Sequence, residues 1–246
     1  MKTIISSVLS LLSICLLSAC SNSDQGGSIG AVVNQNESIR IDGSNIKGIY
    51  QANLIPLNHN LHFMKVGVGA IQRDKDSFWA SIRLKYGSKD VSHKQSIYTG
   101  RRCPNIEDDK NKDAYIDINE ALEVIGQITI PLDGDLNSQS GANYEFPMGD
   151  GAKGAYFYKE MASFEQMFAD LREADWDETD HMIKLKKNEG LTLPGRILVV
   201  HGLSRKVSLP ATVGGTENED AYESIPVACG VLWKVEKLSE DLSSEI

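Results

Sequence analysis

From 77 to 86 the chain alternates: Phe78, Ala80, Ile82, Leu84 and Tyr86 take one parity, and Ser77, Trp79, Ser81, Arg83 and Lys85 the other. A period of two sends successive side chains to opposite faces, so this stretch predicts a half-buried strand. Just upstream, Met64, Val66, Val68 and Ala70 repeat the pattern and are expected to share one face. The polar run 73–77 between them reads as a turn, which makes the two strands an antiparallel hairpin. Tyr50, Ala52 and Leu54 alternate as well, and 197–200 and 227–235 are two further strand candidates. The period turns helical in one clear place, where Ser163 can cap a segment carrying Phe164, Met167, Phe168 and Leu171. Residues 103–160 are rich in Asp, Asn, Gly and Pro and read as long loops with short strands. Many short antiparallel strands, long excursions and one short helix predict a mainly β sandwich or barrel.

The N-terminus stands outside this pattern. Lys2 precedes an apolar run from 4 to 17, too short to span a bilayer as a mature helix, and Leu17-Ser18-Ala19-Cys20 follows. This is similar to a bacterial lipoprotein signal, so residues 1–19 are excluded from fold reasoning and Cys20 is the expected lipidation site. Ser21, rather than Asp, at the next position favours the outer over the inner membrane by resemblance to lipoprotein sorting rules. Residues 20–40 read as the lipidated cysteine with a flexible tether, 41–240 as one β domain, and 241–246 as a tail. The membrane partner is therefore expected to be reached through an N-terminal lipid, in the cell envelope.

Charge and cysteine usage narrow the class. The net charge of −9 becomes −10 once Lys2 is removed with the signal, and no basic cluster tracks phosphates, which argues against nucleic acid. Of four cysteines, Cys15 and Cys20 belong to the signal and anchor. Cys103 and Cys229 then form one disulfide in an exported chain, or stay as two separate thiols. A bridge would close a loop of about 127 residues, worth about 5 kcal/mol in the chain-entropy model.

Two motifs carry a family resemblance. Gly195-Arg196-Ile197-Leu198-Val199-Val200-His201 and Ala228-Cys229-Gly230-Val231, in that order, resemble strands of the copper/zinc superoxide dismutases. The resemblance covers roughly 45–103 and 180–235. It implies a Greek-key β-sandwich or barrel, a Cys103–Cys229 disulfide, and copper at His201. The family's first metal motif, H-G-F-H-V-H, falls on His93-Lys94-Gln95-Ser96-Ile97-Tyr98. His93 matches a framework histidine, while the two copper-binding positions carry Ser96 and Tyr98, poor copper ligands beside imidazole. Between Cys103 and His201 the only histidine is His181, and the chain has five histidines where the family's bimetal site alone uses six. The expectation is a degenerate domain with copper and zinc lost and His201 a relic. The alternative is a divergent dismutase whose site is rebuilt from His59 and His62 with His93 or His201.

The excursion carries its own motif. Residues 109–120 resemble an EF-hand calcium loop, with Asp109, Asn111, Asp113, Tyr115 (through its carbonyl), Asp117 and Glu120 at positions 1, 3, 5, 7, 9 and 12. Alternate oxygen-bearing side chains then converge on one hard cation. Ile116 fills the apolar eighth position, but Ala114 stands where the left-handed turn favours glycine, at a cost of about 1–2 kcal/mol. A short helix is expected to start at 117–122. Asp133-Gly134-Asp135 reads as a plain turn.

No nucleophile elbow, phosphate loop or dinucleotide fingerprint is present; Ser204, three residues after His201, makes no catalytic arrangement by itself, and the glycine-rich 149–154 lacks the Walker spacing. The functional expectation is a lipid-anchored envelope protein in a non-catalytic binding or structural role, with structural calcium. Sequence names no protein or small-molecule partner, and a surface-recognition role shares the same features.

Overall fold

The computed structural model describes residues 48–58, 66–138, 146–149, 155–173, 182 and 192–238. All lie in the second of two compact units, Ile39–Ile246; the first, Met1–Ser38, falls outside the described residues, as do His59, His62 and His181. Cys20 and the signal therefore stay as sequence expectations.

Among the described residues, nine strands form one curled antiparallel sheet: β1 (Gly48–Pro56), β2 (Gly67–Arg73), β3 (Ser77–Leu84), β4 (Gln95–Tyr98), β5 (Ile128–Pro131), β6 (Tyr156–Ser163), β7 (Ile197–His201), β8 (Pro226–Val231) and β9 (Trp233–Val235). Their spatial order is β5-β4-β7-β8-β1-β2-β3-β6, with β9 also on β1. The chain leaps from β3 across to β4 and from β6 back to β7, which is the Greek-key path expected from the motifs. The two ends of this path, β5 and β6, are tied by side chains. The Tyr158 hydroxyl donates to the Asp133 carbonyl at 2.8 Å, the Ser163 N–H to Asn137 Oδ1 at 2.8 Å, and the Tyr156 hydroxyl to Gln95 of β4.

The hairpin turn sits where the polar run places it, closed by the Asp74 N–H donating to the Ser77 carbonyl at 3.0 Å. Phe78, Ala80, Ile82 and Leu84 point into the core as alternation requires, whereas Tyr86 lies past the strand end and is 59% exposed. The inward face of β2 differs from expectation. Register pairs Gly69 with Ala52 and Ile82, so Gly67, Gly69 and Ile71 face the core, while Val68 and Ala70 pack outside against Leu238. The reason is close approach: a Cβ on Gly69 would come within 2.1 Å of Leu198 Cδ2 on β7 across the curled sheet. Glycine makes that face invisible to a hydrophobic count.

The run 227–235 breaks at the fully buried Leu232, which separates β8 from β9. The described residues hold three α-helices rather than one: α1 (Ile118–Ile125), α2 (Phe164–Glu173) and α3 (Ala221–Ser224). Helix α2 is the one expected from Phe164, Met167, Phe168 and Leu171, all buried. Helix α1 continues the expected start at 117–122, and Asp117 caps it in a capping box with Glu120.

Two apolar clusters divide the interior. The larger fills the curled sheet. The smaller lies on the outer face of β4, β7 and β8, where Ile116, Ala121 and Ile125 cover Tyr98, Ile197, Val199 and Cys229. The excursion after β4 is thus packed onto the face that carries Ser96, Tyr98 and His201.

Candidate metal centre

His201 ends β7 and is 4% exposed. Its Nδ1 lies 2.6 Å from the Ser224 carbonyl, which can only accept, so Nδ1 carries the proton. Its Nε2 must then accept, and the Tyr98 hydroxyl donates to it at 2.9 Å. Burial pushes the His201 pKa below the ordinary 6.5 and raises Tyr98 above 10.0, so imidazole and phenol are both neutral.

His93 is also buried, at 2% exposed. Its Nε2 lies 2.7 Å from the Ser88 N–H and 3.1 Å from the Ser88 carbonyl, and its Nδ1 3.0 Å from the His201 carbonyl, so both ring nitrogens are engaged. Burial lowers its pKa too. Gly202, with φ +104, makes room for this packing, since a Cβ there would approach His93 Nδ1 at 2.9 Å. His93 thus packs behind β7 with its Nδ1 on the His201 backbone carbonyl.

Chemically, this cluster is a closed neutral network. A metal at His201 Nε2 would have to displace the Tyr98 hydroxyl, and both nitrogens of His93 are engaged. Ser96, on the same face, is paired in register with Val199. The described residues do not fit a copper–zinc pair, on the ground of what donors they are and what those donors already bind. His59 and His62, the donors of the rebuilt-site expectation, lie outside the described residues.

The loop 109–120 folds largely on its own backbone. Asp109 is 8% exposed; its Oδ1 accepts from the N–H groups of Lys112 (2.7 Å) and Asp113 (3.2 Å), and its Oδ2 from Ala114 (2.9 Å). Asn111 Oδ1 accepts from the Asp113 N–H, and Asp113 Oδ1 from the Tyr115 N–H. Glu120 reaches back to the N–H groups of Lys110 at 2.8 Å and Asp117 at 3.2 Å. Ala114 takes φ 70 and Lys112 φ 61, so the left-handed turn forms without glycine. Among the described residues, no three carboxylate, imidazole or thiolate side chains are gathered as a metal-holding group. Asp113 Oδ2 is turned to the Thr212 hydroxyl at 2.6 Å, and Asp117 Oδ2 to the Gly214 N–H at 2.9 Å.

Two further ties fix the excursion. The Cys103–Cys229 disulfide is formed, with Cα atoms 5.8 Å apart. Asn58, at φ 56, accepts from the Ile116 N–H at 2.6 Å and donates to the Ile116 carbonyl at 2.8 Å and the Pro226 carbonyl at 2.9 Å. One amide thus does for Ile116 what a neighbouring strand would do. Nothing local in the sequence points to Asn58, which lies 58 residues from its partner. The same holds for Ser224, which sets the His201 tautomer through its carbonyl. Asp133 corrects the expected plain turn: it does turn the chain, accepting from the Asp135 N–H at 3.0 Å, but it is also 2% exposed with its carboxyl pushed up to about 7 by burial.

The fold and this cluster define a Greek-key β domain carrying one histidine where the resemblance places copper. Among solved structures the chain is similar to a Cu/Zn superoxide dismutase from Brucella abortus, at 16% identity over 74% of this chain and 98% of that one, with a TM-score of 0.37. It is also similar to a SOD-like protein from Bacillus subtilis, at 13% identity over 74% of this chain and 96% of that one, with a TM-score of 0.33. A proline-to-histidine variant of a SOD-like protein from the same organism matches at 15% identity over 74% of this chain and 97% of that one, with a TM-score of 0.36. No protein-family model and no curated protein matches the sequence.

Proposed function

We propose that this chain is a lipid-anchored envelope protein whose superoxide-dismutase-like domain acts by binding or as a structural module, without dismutase chemistry. One observation carries this reading: Tyr98 donates to the only nitrogen of His201 on which a metal could sit. Superoxide disproportionation needs a redox metal held by several nitrogen donors. Here the neighbouring donor positions are a serine and the phenol itself. The test is superoxide consumption by the purified oxidised protein after incubation with copper and zinc. The expected rate equals that of the same metals with a denatured control; a rate that depends on His201 and is abolished by His201→Ala overturns the reading.

The anchor rests on the sequence. Cys20→Ala is expected to move the protein from the membrane fraction to the soluble envelope fraction and to abolish labelling by a fatty-acid analogue. Unchanged fractionation would remove the anchor and leave the domain reading intact. Outer-membrane placement follows from Ser21 and is tested by density separation of the two membranes.

Calcium at 109–120 is part of this proposal as a structural ligand. Its support is the ligand spacing together with the left-handed turn that Ala114 adopts. Binding would draw Asp113 away from Thr212 and gather the carboxylates around the cation.

A further inference from the structure

A cavity of about 400 Å³ opens at the end of the barrel beside His93. Its wall is apolar, with Val66, Leu84, Leu203, Val207 and Val227 among the residues that line it. The volume falls in the range that encloses small ligands. Its polar end is Asp90. The Ser88 hydroxyl donates to Asp90 Oδ1, and the Ser204 hydroxyl donates to Oδ2 at 3.0 Å. These bonds hold the carboxyl below the usual carboxylate range, with the Ser88 hydroxyl contributing most.

Asp90 is therefore an oriented anion, half-buried, with lone pairs left over on both oxygens. The rim also carries the exposed Lys89 and Lys206, and Lys206 adds a small lowering to the Asp90 carboxyl; water screens both cations more than the hydroxyl-held carboxylate. Ser204 and Asp90 are 114 residues apart, and the fold alone makes them one site. The metal cluster does not use either residue.

We propose that this cavity binds a small apolar ammonium compound, its hydrocarbon part against Val66, Leu203, Val207 and Val227 and its positive end on the Asp90 carboxylate. The apolar wall supplies affinity through buried hydrocarbon area. The fixed carboxylate supplies the sign of charge through a charge-assisted hydrogen bond. A carboxylate ligand of the same length would meet Asp90 as a like charge. The proposal deepens the binding role given above and rests on that reading.

The experiment titrates the full chain with hexylamine, hexanol and hexanoate, read by methyl chemical shifts and calorimetry. Hexylammonium is expected to bind about tenfold tighter than hexanol, with hexanoate weakest, and to shift the methyl signals of Val66, Leu203, Val207 and Val227. In Asp90→Asn the amine is expected to lose that tenfold advantage while hexanol is unchanged, and Val227→Trp is expected to abolish all three. Unchanged hexanol binding also reports that Asp90→Asn is folded. Equal or tighter binding of hexanoate, or no methyl shift with any probe, overturns the proposal. That failure is distinct from failure of the domain reading, which superoxide consumption decides independently.

Discussion

At the scale of single residues, Tyr98 decides what His201 can be. The phenol donates to Nε2 where both side chains are buried, so removing it leaves a buried nitrogen without its partner. Tyr98→Phe is expected to cost about 1–3 kcal/mol, read as a lower urea midpoint. An unchanged midpoint would mean that the hydroxyl and the imidazole are not bonded in solution. Asp133 gives a second residue-scale test. Its carboxyl is lifted to about 7 from an ordinary 3.8 by burial, with Asp135 and Glu160 pushing the same way. Between those values the folded chain holds a proton that the unfolded chain has lost, so stability falls as pH rises from about 4 to about 7. His93 and His201, held neutral by burial, act oppositely: they lose stability as pH falls below 6.5. Asp133→Asn isolates the first effect. The variant is expected to have a higher urea midpoint than the parent at pH 8 and no such gain at pH 4; equal gains at both pH values would refute the linkage.

At the scale of elements, the loop 109–120 and helix α1 form one unit, fastened to the sheet by the disulfide, Asn58 and the apolar face of α1. Asp109 has two separable roles here. As an acceptor it satisfies three backbone N–H groups; as a carboxylate it is the first position of the proposed calcium loop. Asp109→Ala loses both, and is expected to cost about 2–3 kcal/mol even in chelator. Asp109→Asn keeps an acceptor and loses the charge. If calcium binds, millimolar calcium raises the melting temperature of the parent, and that rise is absent in Asp109→Asn. No rise in the parent would remove calcium and leave the loop as a self-fastened element.

Elements also show what the chain made legible. Strand β3, the hairpin turn, β7 and helix α2 were readable because each carries an uninterrupted period over its length. Pairing of Cys103 with Cys229 was readable by counting. The inward face of β2 was not, because the curled sheet admits only glycine there and glycine adds nothing to a hydrophobic pattern. The closed state of His201 was half legible: Tyr98 and Ser96 were visible as poor ligands, but the Ser224 carbonyl that fixes the tautomer is a backbone group and has no sequence signal. Asp90 with Ser204 was illegible for the same reason as Asn58: long separation in sequence and contact made only by the fold.

At the scale of the whole molecule, hydrogen bonds, a disulfide and apolar packing join the distant parts of the sheet and its excursion. The Tyr156 and Tyr158 hydroxyls of β6 donate to Gln95 and the Asp133 carbonyl, the Ser163 N–H donates to Asn137, and a disulfide and an apolar cluster hold the excursion. The most direct measurement is elemental analysis of the purified, oxidised protein after exposure to equimolar copper, zinc and calcium and exchange into metal-free buffer. The expected result is no retained copper or zinc, whether or not calcium remains. Copper near one equivalent per chain, lost in His201→Ala, would contradict the reading that Tyr98 has closed the site.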